Sequence, residues 1–255
     1  MTDNQTAEWP RPYWQPSDED ALMLFFVFGS FAEDLAIPAA QYGSPGLPQG
    51  VELNRYQNVV LAKWEGYPLD GALGDVLRED SPEAYAAAKA APHVLVIRGL
   101  IPDGPALDYL RDTVGVVAAL TDVGAQAIVD PQILSLFSAQ EWREHYLVAG
   151  GAPPRNHVLI LCSDEEIANH SWVRTRGMRK FGRPDISLTH VPTREVDRAG
   201  ALAERLVELQ SLGAHFEDGQ VVEVDGVPGG LTVHADGNRD DPRFNNSHVE
   251  MRWPD

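Results

Sequence analysis

The sequence is organised around residues 172–185, which read Trp-Val-Arg-Thr-Arg-Gly-Met-Arg-Lys-Phe-Gly-Arg-Pro-Asp. This stretch, called the basic segment below, contains five Lys and Arg side chains and no acidic one before Asp185. It stands out because the whole chain is acidic, with a formal net charge of −18 at pH 7. Two glycines and a proline interrupt the segment, so it is predicted to form a strand, a turn and a second strand rather than a helix.

Regular structure is predicted on both sides of the basic segment. Residues 157–162 form an apolar strand before it, and residues 185–190 alternate as a strand after it. Thr193 is a suitable N-cap for a helix that ends at Gly213. Asp-Gly and Gly-Gly pairs then separate short strands, which are predicted at 220–224, 231–235 and 248–253. The second part of the chain, residues 155–255, is therefore predicted to be rich in strands.

The first part of the chain, residues 21–148, interleaves apolar strands with helices. Residues 22–28 are apolar throughout, which predicts a strand buried on both faces of a sheet. Further strands are predicted at 56–64, 93–98 and 125–129. Helices are predicted at 82–91, 105–124 and 138–146. Residues 38–50 are rich in glycine and proline, and they predict a long loop.

The order of these elements indicates the fold class and the domain organisation. Residues 1–20 are polar and contain several prolines and aromatic residues, so they form either an extended N-terminal arm or a flexible tail. Residues 147–154 are rich in small residues and are predicted to separate the two parts, although one continuous domain is the alternative. Interleaved helices and strands predict an α+β fold with helices packed on mixed or antiparallel sheets, in which the first part forms a decorated ferredoxin-like unit.

Charge and composition narrow the partners and the compartment. The net charge of −18 would repel nucleic acid and anionic membrane, and it favours a basic protein partner. The single cysteine, Cys162, cannot form an internal disulfide, and in an apolar run it is predicted to pack as a small hydrophobic residue. The N-terminus lacks the features of a signal peptide, and the apolar run at 21–28 is too short to cross a bilayer. A cytoplasmic location is expected.

The five cations of the basic segment are the candidate binding residues: Arg174, Arg176, Arg179, Lys180 and Arg183. In a strand, the first two project from one face, and a turn through Gly177 would return the other three to the same neighbourhood. Clustered arginines bind carboxylates or phosphates through paired hydrogen bonds. The alternative is that these cations pair with the protein's own acids, such as Asp185 and Glu195.

A metal site is a second hypothesis. His234 and Asp236 lie two residues apart, as do His248 and Glu250, so each pair shares one face of its strand. If the two strands are neighbours, four ligands could converge on a zinc or manganese ion. The alternative is that the intervening apolar residues face the core and these four simply face water. No metal and no cofactor is therefore assigned to the sequence.

No common catalytic motif is recognised in the sequence. It contains no G-x-S-x-G elbow for a serine nucleophile, no P-loop for nucleotide phosphates and no dinucleotide-binding loop after a strand. No catalytic residue is assigned for this reason. The sequence favours a non-catalytic function over an enzymatic one.

The order of several motifs resembles a known family. A helix runs into residues 91–96, a second leads to residues 125–129, and residues 175–186 precede a helix that ends near residues 218–220. The most specific part is Thr-x-Gly-Met followed by Phe-Gly-x-Pro-Asp within residues 175–185. Together these resemble a family of bacterial proteins catalogued as domain of unknown function 4261. The resemblance implies a related fold without an established activity, and an association with immunity-type proteins of bacterial toxin systems.

These observations lead to one principal hypothesis and two rivals. The principal one is a non-catalytic cytoplasmic interaction protein, immunity-like or antitoxin-like, whose acidic surface meets a basic toxin or another basic protein. The first rival is an enzyme or binding domain for a small anionic ligand that the five cations of the basic segment anchor. The second is a metal-dependent hydrolase built on the two His and carboxylate pairs. The sequence does not indicate the oligomeric state.

Overall fold

The computed structural model describes residues 8–147 and 154–254. The chain divides into two compact units, each of which contains a β-sheet with one or more α-helices among the described residues. The first unit includes Leu22–Ile101 and residues 106–147, and the second includes residues 11–21, Pro102–Pro105 and residues 154–254. The predicted α+β class, with mixed and antiparallel sheets, is confirmed. Residues 148–153 at the predicted boundary, and residues 1–7 of the predicted arm, lie outside the described residues.

The first unit is built on a five-stranded sheet. Its strands are β1 (Ala21–Gly29), β2 (Val51–Gln57), β3 (His93–Ile101), β4 (Ala125–Asp130) and β5 (Ser135–Ser138). Its helices are α1 (Asn58–Leu61), α2 (Gly71–Asp80), α3 (Pro82–Ala90), α4 (Asp108–Asp122) and α5 (Ala139–Tyr146). The strand order is β2-β3-β1-β4-β5, and the β1–β4, β2–β3 and β4–β5 pairs are antiparallel.

The connections between the strands of the first unit differ from those of the predicted ferredoxin-like arrangement. A ferredoxin-like unit places a helix between its first and second strands. Here residues 30–50 connect β1 to β2 through a single 3₁₀ turn, Ala39–Tyr42, and the connection from β2 to β3 instead carries α1, α2 and α3. The unit therefore keeps α+β layering, with α4 between β3 and β4 as in a ferredoxin-like unit, but α1, α2 and α3 fall in a connection that has no helix in that arrangement.

The centre of the first unit is β1, whose side chains are almost all buried. Phe28 on β1 packs with apolar residues of β3, β4, α2 and α3 in one core cluster. Alternation along the strand directs Phe25 to the opposite face. There Phe25 makes an edge-to-face contact with Trp142 of α5, at 5.5 Å between ring centroids. Burial on both faces explains why this strand is apolar throughout, as the sequence predicted.

The prediction of a strand over residues 56–64 is wrong. The strand β2 ends at Gln57, and α1 begins at Asn58. The reason is a set of hydrogen bonds around the buried Asn58, whose side-chain amide donates to the carbonyls of Ala88 and Ala91. Its amide oxygen accepts a hydrogen bond from the Tyr67 hydroxyl at 2.7 Å. These contacts turn the chain although the residues that follow are apolar.

The second unit is built on a six-stranded sheet. Its strands are β6 (Leu159–Asp164), β7 (His170–Arg176), β8 (Asp185–Pro192), β9 (Val221–Val224), β10 (Val227–Asn238) and β11 (Asn246–Arg252). The order is β6-β7-β8-β11-β10-β9; β8 and β11 run parallel, and the other neighbouring pairs run antiparallel. Helix α6 (Val196–Ser211) packs on β6, β7 and β8.

Cys162 lies on the edge strand β6 and is exposed, so its predicted packing as a buried hydrophobic residue is wrong.

The described part of the N-terminal arm is hydrogen-bonded. In the second unit, the backbone N–H of Tyr13 donates to the Leu212 carbonyl, and that of Gln15 donates to the Gly213 carbonyl. Gly213 has a φ of 104°, and a Cβ there would lie 2.4 Å from the Cα of Trp14. A residue larger than glycine would therefore displace the arm from this position.

Candidate functional site

The basic segment forms the strand–turn–strand that the sequence predicted. Strand β7 ends at Arg176, a 3₁₀ turn spans Met178–Phe181, and β8 begins at Asp185. Gly177 and Gly182 flank the turn with φ values of 115° and 60°, in the left-handed region that glycine adopts readily. The glycines that interrupt the sequence pattern therefore set the two bends.

Asp185 closes this turn from inside the protein. Its carboxylate, which is completely buried, accepts hydrogen bonds from the Thr175 hydroxyl at 2.8 Å and from the Asn246 amide at 3.0 Å. The backbone N–H of Met178 donates to the same carboxylate at 3.3 Å. Burial raises the pKa of Asp185 to about 6, although these hydrogen bonds and the charge of Arg176 act in the opposite direction. The acid that ends the basic segment thus holds the turn together mainly through neutral donors.

Arg183 belongs to a buried junction with Asp103. Its guanidinium lies 3.0 Å from Asp103, and Arg11 binds the same carboxylate oxygen at 2.7 Å. The three side chains have almost no exposed surface. Arg183 also donates to the backbone carbonyls of Gln15 and Gly213, and Arg11 donates to several further carbonyls of the second unit. The donors of Arg183 are therefore directed into the protein.

The electrostatics of Asp103 agree with this arrangement. Burial alone would raise the pKa of Asp103, but the hydrogen bond from the Trp14 indole and the charges of Arg183 and Arg11 outweigh burial, so the pKa is lowered. The Trp14 bond is 2.9 Å long, and the backbone N–H of Ser17 donates to the same carboxylate oxygen at 3.1 Å. Asp103 is ionised at neutral pH and is the counter-ion of two buried arginines.

Lys180 also points inward. It is 0% exposed, and its ammonium group donates to the His157 carbonyl at 3.0 Å. Arg183 and Lys180, two of the five candidate binding residues, are thus placed where an external ligand does not reach them.

Arg174, Arg176 and Arg179 lie near residues 239–245, which connect β10 to β11. Arg176 donates to the carbonyls of Pro242 and Arg243, at 2.7 and 3.0 Å, and is buried. Arg179 donates to the Asn245 carbonyl at 3.3 Å. Arg174 is half-buried, with its guanidinium 4.0 Å from the centroid of the Trp172 ring. The structure therefore brings three of the five predicted residues to one region and sends the other two elsewhere.

The hypothetical metal ligands form neighbouring pairs. His234 lies opposite Glu250, and Asp236 lies opposite His248, in the antiparallel β10–β11 ladder. His248 is buried, and its ring stacks on that of Phe244 at 4.2 Å. Within residues 8–147 and 154–254, no group of three or more His, Cys, Asp or Glu side chains is arranged to hold a metal ion. The register that the metal hypothesis required is present, but the convergence of the side chains is not.

A cleft in the first unit has a different chemistry. It has a volume of about 420 Å³ and lies among the C-terminus of α2, strand β5 and helix α5. It is called the acidic cleft below and is lined by Asp80, Ser81, Leu134, Ser135, Leu136, Phe137, Glu141, Glu144 and His145. Its three carboxylates are exposed, and no Lys or Arg is among the lining residues.

The walls of the acidic cleft are held by local contacts. The Ser138 hydroxyl accepts from the Glu141 backbone N–H, and the Glu141 carboxylate accepts from the Ser138 N–H, so α5 begins with a capping box. The Ser81 hydroxyl donates to the Leu136 carbonyl at 3.0 Å. Phe137 packs edge to face with Trp142, at 5.8 Å between ring centroids. Hydrogen bonds and a ring contact therefore hold in place the elements that line the acidic cleft.

Sequence reasoning missed several of these residues. The acids of the cleft come from two helices that are far apart in sequence, and α2 was not predicted at all. Asp103 lies in the sequence Pro-Asp-Gly, which has no feature that would indicate a buried counter-ion. The aromatic residues of the N-terminal arm gave one usable signal, because Trp14 binds Asp103.

Comparisons with known protein families, with curated proteins and with solved structures find no match to this chain. The resemblance of the basic segment and its flanking helices to domain of unknown function 4261 therefore stays a prediction. None of the helices that the structure describes has the length and apolar character needed to cross a lipid bilayer.

Proposed function

We propose that this chain is a non-catalytic interaction protein of the cytoplasm that binds a basic protein partner at the acidic cleft of the first unit. The observation that supports the proposal is the composition of the cleft. The residues that line it include three acids, Asp80, Glu141 and Glu144, and the apolar Leu136 and Phe137. A cavity of this size is within the range of pockets that hold a compact ligand or a projecting side chain.

This composition matches a lysine or arginine side chain on the partner. Such a side chain has an apolar stem and a cationic head, and it can lay the stem on apolar surface while its head meets carboxylates. Here Phe137 would contact the stem, and Asp80 and Glu144 would contact the head. Hydrogen bonds between ionised groups are stronger than neutral ones, so the anchor would define the position of the partner.

The charge of the whole chain supports the same partner class. A net charge of −18 attracts a basic protein at long range and accelerates its association. A basic bacterial toxin has this chemistry, and the family resemblance points to immunity-type proteins. We therefore include a basic toxin among the proposed partners.

The test is a titration of ¹⁵N-labelled protein with a short peptide that contains alternating leucine and lysine residues. Saturable chemical-shift changes are expected at residues 134–137 and 141–145. The double variant Asp80→Asn/Glu144→Gln should weaken binding about tenfold, which corresponds to the loss of roughly 1.4 kcal/mol of binding free energy.

A matched control removes the same two charges from another part of the first unit. Glu52 and Glu65 are exposed and lie outside the acidic cleft. The variant Glu52→Gln/Glu65→Gln should change the affinity less than about twofold, because it alters only the long-range field. Equal losses in the two double variants, or shifts spread over the whole surface, would show that binding does not occur at the cleft.

A further inference from the structure

Two arginines of the second unit share one indole ring. The guanidinium of Arg174 lies 4.0 Å from the centroid of the Trp172 ring, and that of Arg243 lies 5.6 Å from it. The Trp172 indole N–H donates to the Ser187 hydroxyl at 2.9 Å, which fixes the ring on the sheet. Strand β7 and the β10–β11 connection therefore bring two cations to the same place, although these residues are far apart in sequence.

Arg174 has an incomplete set of partners. Its Nη1 donates to the Ser163 hydroxyl at 3.0 Å, while its Nε is shielded from solvent and meets no acceptor. Among the described residues, no carboxylate lies within ion-pair distance of Arg174. A partly desolvated cation without a counter-ion is unfavourable.

Arg176 adds a further positive charge next to Arg174. It is only 5% exposed, its Nη1 is used by the carbonyls of Pro242 and Arg243, and its Nε also meets no acceptor. By these bonds Arg176 also holds the connection that carries Arg243. The three guanidinium groups are thus positioned by the fold.

The acids nearby act on Arg176 and Arg243 and leave Arg174 uncompensated. Asp241 pairs with Arg243 at 2.7 Å, and Asp236 and Glu250 also raise the pKa of Arg243. Burial lowers the pKa of Arg176, and the charges of Asp185 and Asp241 raise it. For Arg174, burial lowers the pKa and the charges of Arg176 and Arg243 lower it further, with only Cys162 acting in the opposite direction.

We infer that Arg174 and Arg243, together with Trp172 and Ser163, form an anion site that binds a phosphoryl group, and that the buried Arg176 adds positive charge beside it without contacting the ligand. Arg174 is the anchor because its side chain is accessible in part and only its Nη1 donates a hydrogen bond among the described residues, so Nη2 can donate to a ligand. The site lies within the second unit and does not depend on the acidic cleft. Of the five cations that the sequence predicted to bind an anionic ligand, Arg174 belongs to this site directly and Arg176 through its charge. Arg243 and Ser163 belong to it as well and lie outside the basic segment.

The expected charge of the ligand follows from this balance. Of these three guanidinium groups, only that of Arg243 has a carboxylate within ion-pair distance among the described residues, that of Asp241. A phosphate monoester carries a charge of about −1.5 to −2 at neutral pH, which suits several cations better than a single carboxylate does. Arginine forks also match the geometry of phosphate oxygens. The charge and the geometry of the site therefore favour a doubly charged oxyanion, free or attached to a small molecule.

The experiment follows the Trp172 indole N–H signal in ¹⁵N-labelled protein, assigned with a Trp172→Phe variant. Inorganic phosphate and phenyl phosphate are titrated through the millimolar range, with sodium chloride added to keep the ionic strength constant. A saturable shift is expected in the wild type. The Arg174→Gln variant should bind phosphate about tenfold more weakly, because it loses a charge-assisted hydrogen bond.

The control is Arg194→Gln, which removes one arginine from the same unit at a side chain that is 81% exposed. It should change the affinity for phosphate less than about twofold, because exposed charges are screened by salt. Tighter binding of phenyl phosphate would support a monoester ligand, and binding of inorganic phosphate alone would support a free anion. An unchanged affinity in Arg174→Gln, no saturable shift in the wild type, or an equal response to acetate would overturn the assignment.

Discussion

The two ends of the basic segment place arginines in opposite surroundings. At the C-terminal end, Arg183 shares the buried carboxylate of Asp103 with Arg11, and further donors meet backbone carbonyls. At the N-terminal end, Arg174 lies on an indole beside two other cations and has no carboxylate partner among the described residues. Arginine thus stabilises the fold at the C-terminal end of the segment and is a candidate ligand-binding residue at the N-terminal end. Density of cations in the sequence does not distinguish the two.

The buried carboxylates show the same contrast from the acidic side. Asp103 is the counter-ion of two guanidinium groups, and its pKa is lowered. Asp185 accepts mainly from neutral donors, and burial raises its pKa to about 6. A carboxylate stabilises buried arginines when it lies within hydrogen-bonding distance of their guanidinium groups. A carboxylate whose hydrogen bonds come from neutral groups stabilises nearby arginines much less.

The largest effect is expected for Asp103→Asn. The variant leaves Arg11 and Arg183 buried without their counter-ion, and removing one partner of a buried ion pair costs about 3–5 kcal/mol. Side-chain exposure of 3% for Asp103 and 0% for both arginines justifies the upper range of this effect. The measurement is the free energy of unfolding in urea at pH 7.

An exposed ion pair of the same unit provides the control. Arg155 and Glu204 lie 3.1 Å apart with about half of each side chain exposed. Glu204→Gln should lower the free energy of unfolding by less than about 1 kcal/mol. If Asp103→Asn also stayed below that value, Asp103 would not be the counter-ion that distinguishes the two ends.

A pH dependence is expected from Asp185. Its folded pKa of about 6 lies above the ordinary value of 3.8, so the folded state retains a proton that the unfolded state releases between these values. The resulting stabilisation is fully present below about pH 3.8 and is lost as the pH rises through 6. From pH 7 to pH 4 the wild type should therefore gain about 2–3 kcal/mol of unfolding free energy relative to Asp185→Asn.

The test is how the difference in unfolding free energy between the wild type and Asp185→Asn changes with pH. The substitution also alters hydrogen bonds, but it does so by an amount that does not depend on pH. Titration of the other acids, including Asp103, occurs in both proteins and cancels in the difference. A difference that stays constant between pH 7 and pH 4 would mean that Asp185 is as well compensated as Asp103, and the contrast between the two carboxylates would fail.

Much of the fold could be predicted because it depends on local patterns. The apolar run that forms β1 and the proline at the start of α3 both act within a few residues. The end of β2 could not be predicted in this way. It depends on Asn58, whose amide bonds to carbonyls about 30 residues away in the chain. The apolar residues after Asn58 are typical of a strand, and the tertiary hydrogen bonds override that preference.

The candidate site was less predictable for the same physical reason. The five cations of the basic segment were visible in the sequence, but their surroundings depend on residues that are distant in the chain. Arg183 meets Asp103, 80 residues away, and Arg176 meets the Pro242 carbonyl, 66 residues away. Every residue has a backbone carbonyl, so the sequence does not show which carbonyls accept hydrogen bonds from an arginine side chain. Whether a cation is compensated therefore emerges only from the fold.

The smallest effect on stability is expected for Arg174→Gln. The variant loses a contact between a cation and an indole ring, which contributes about 0.5–1 kcal/mol, and it also relieves repulsion from Arg176 and Arg243. The two effects oppose each other, so the free energy of unfolding should change by less than about 1 kcal/mol. The matched variant is Arg183→Gln, which makes the same substitution in the same segment and should lose about 3 kcal/mol or more. Urea unfolding of both variants under one set of conditions gives the comparison. If Arg174→Gln lost as much as Arg183→Gln, internal contacts would hold Arg174 as firmly as they hold Arg183, and the electrostatic basis for a phosphoryl site at Trp172 would be removed.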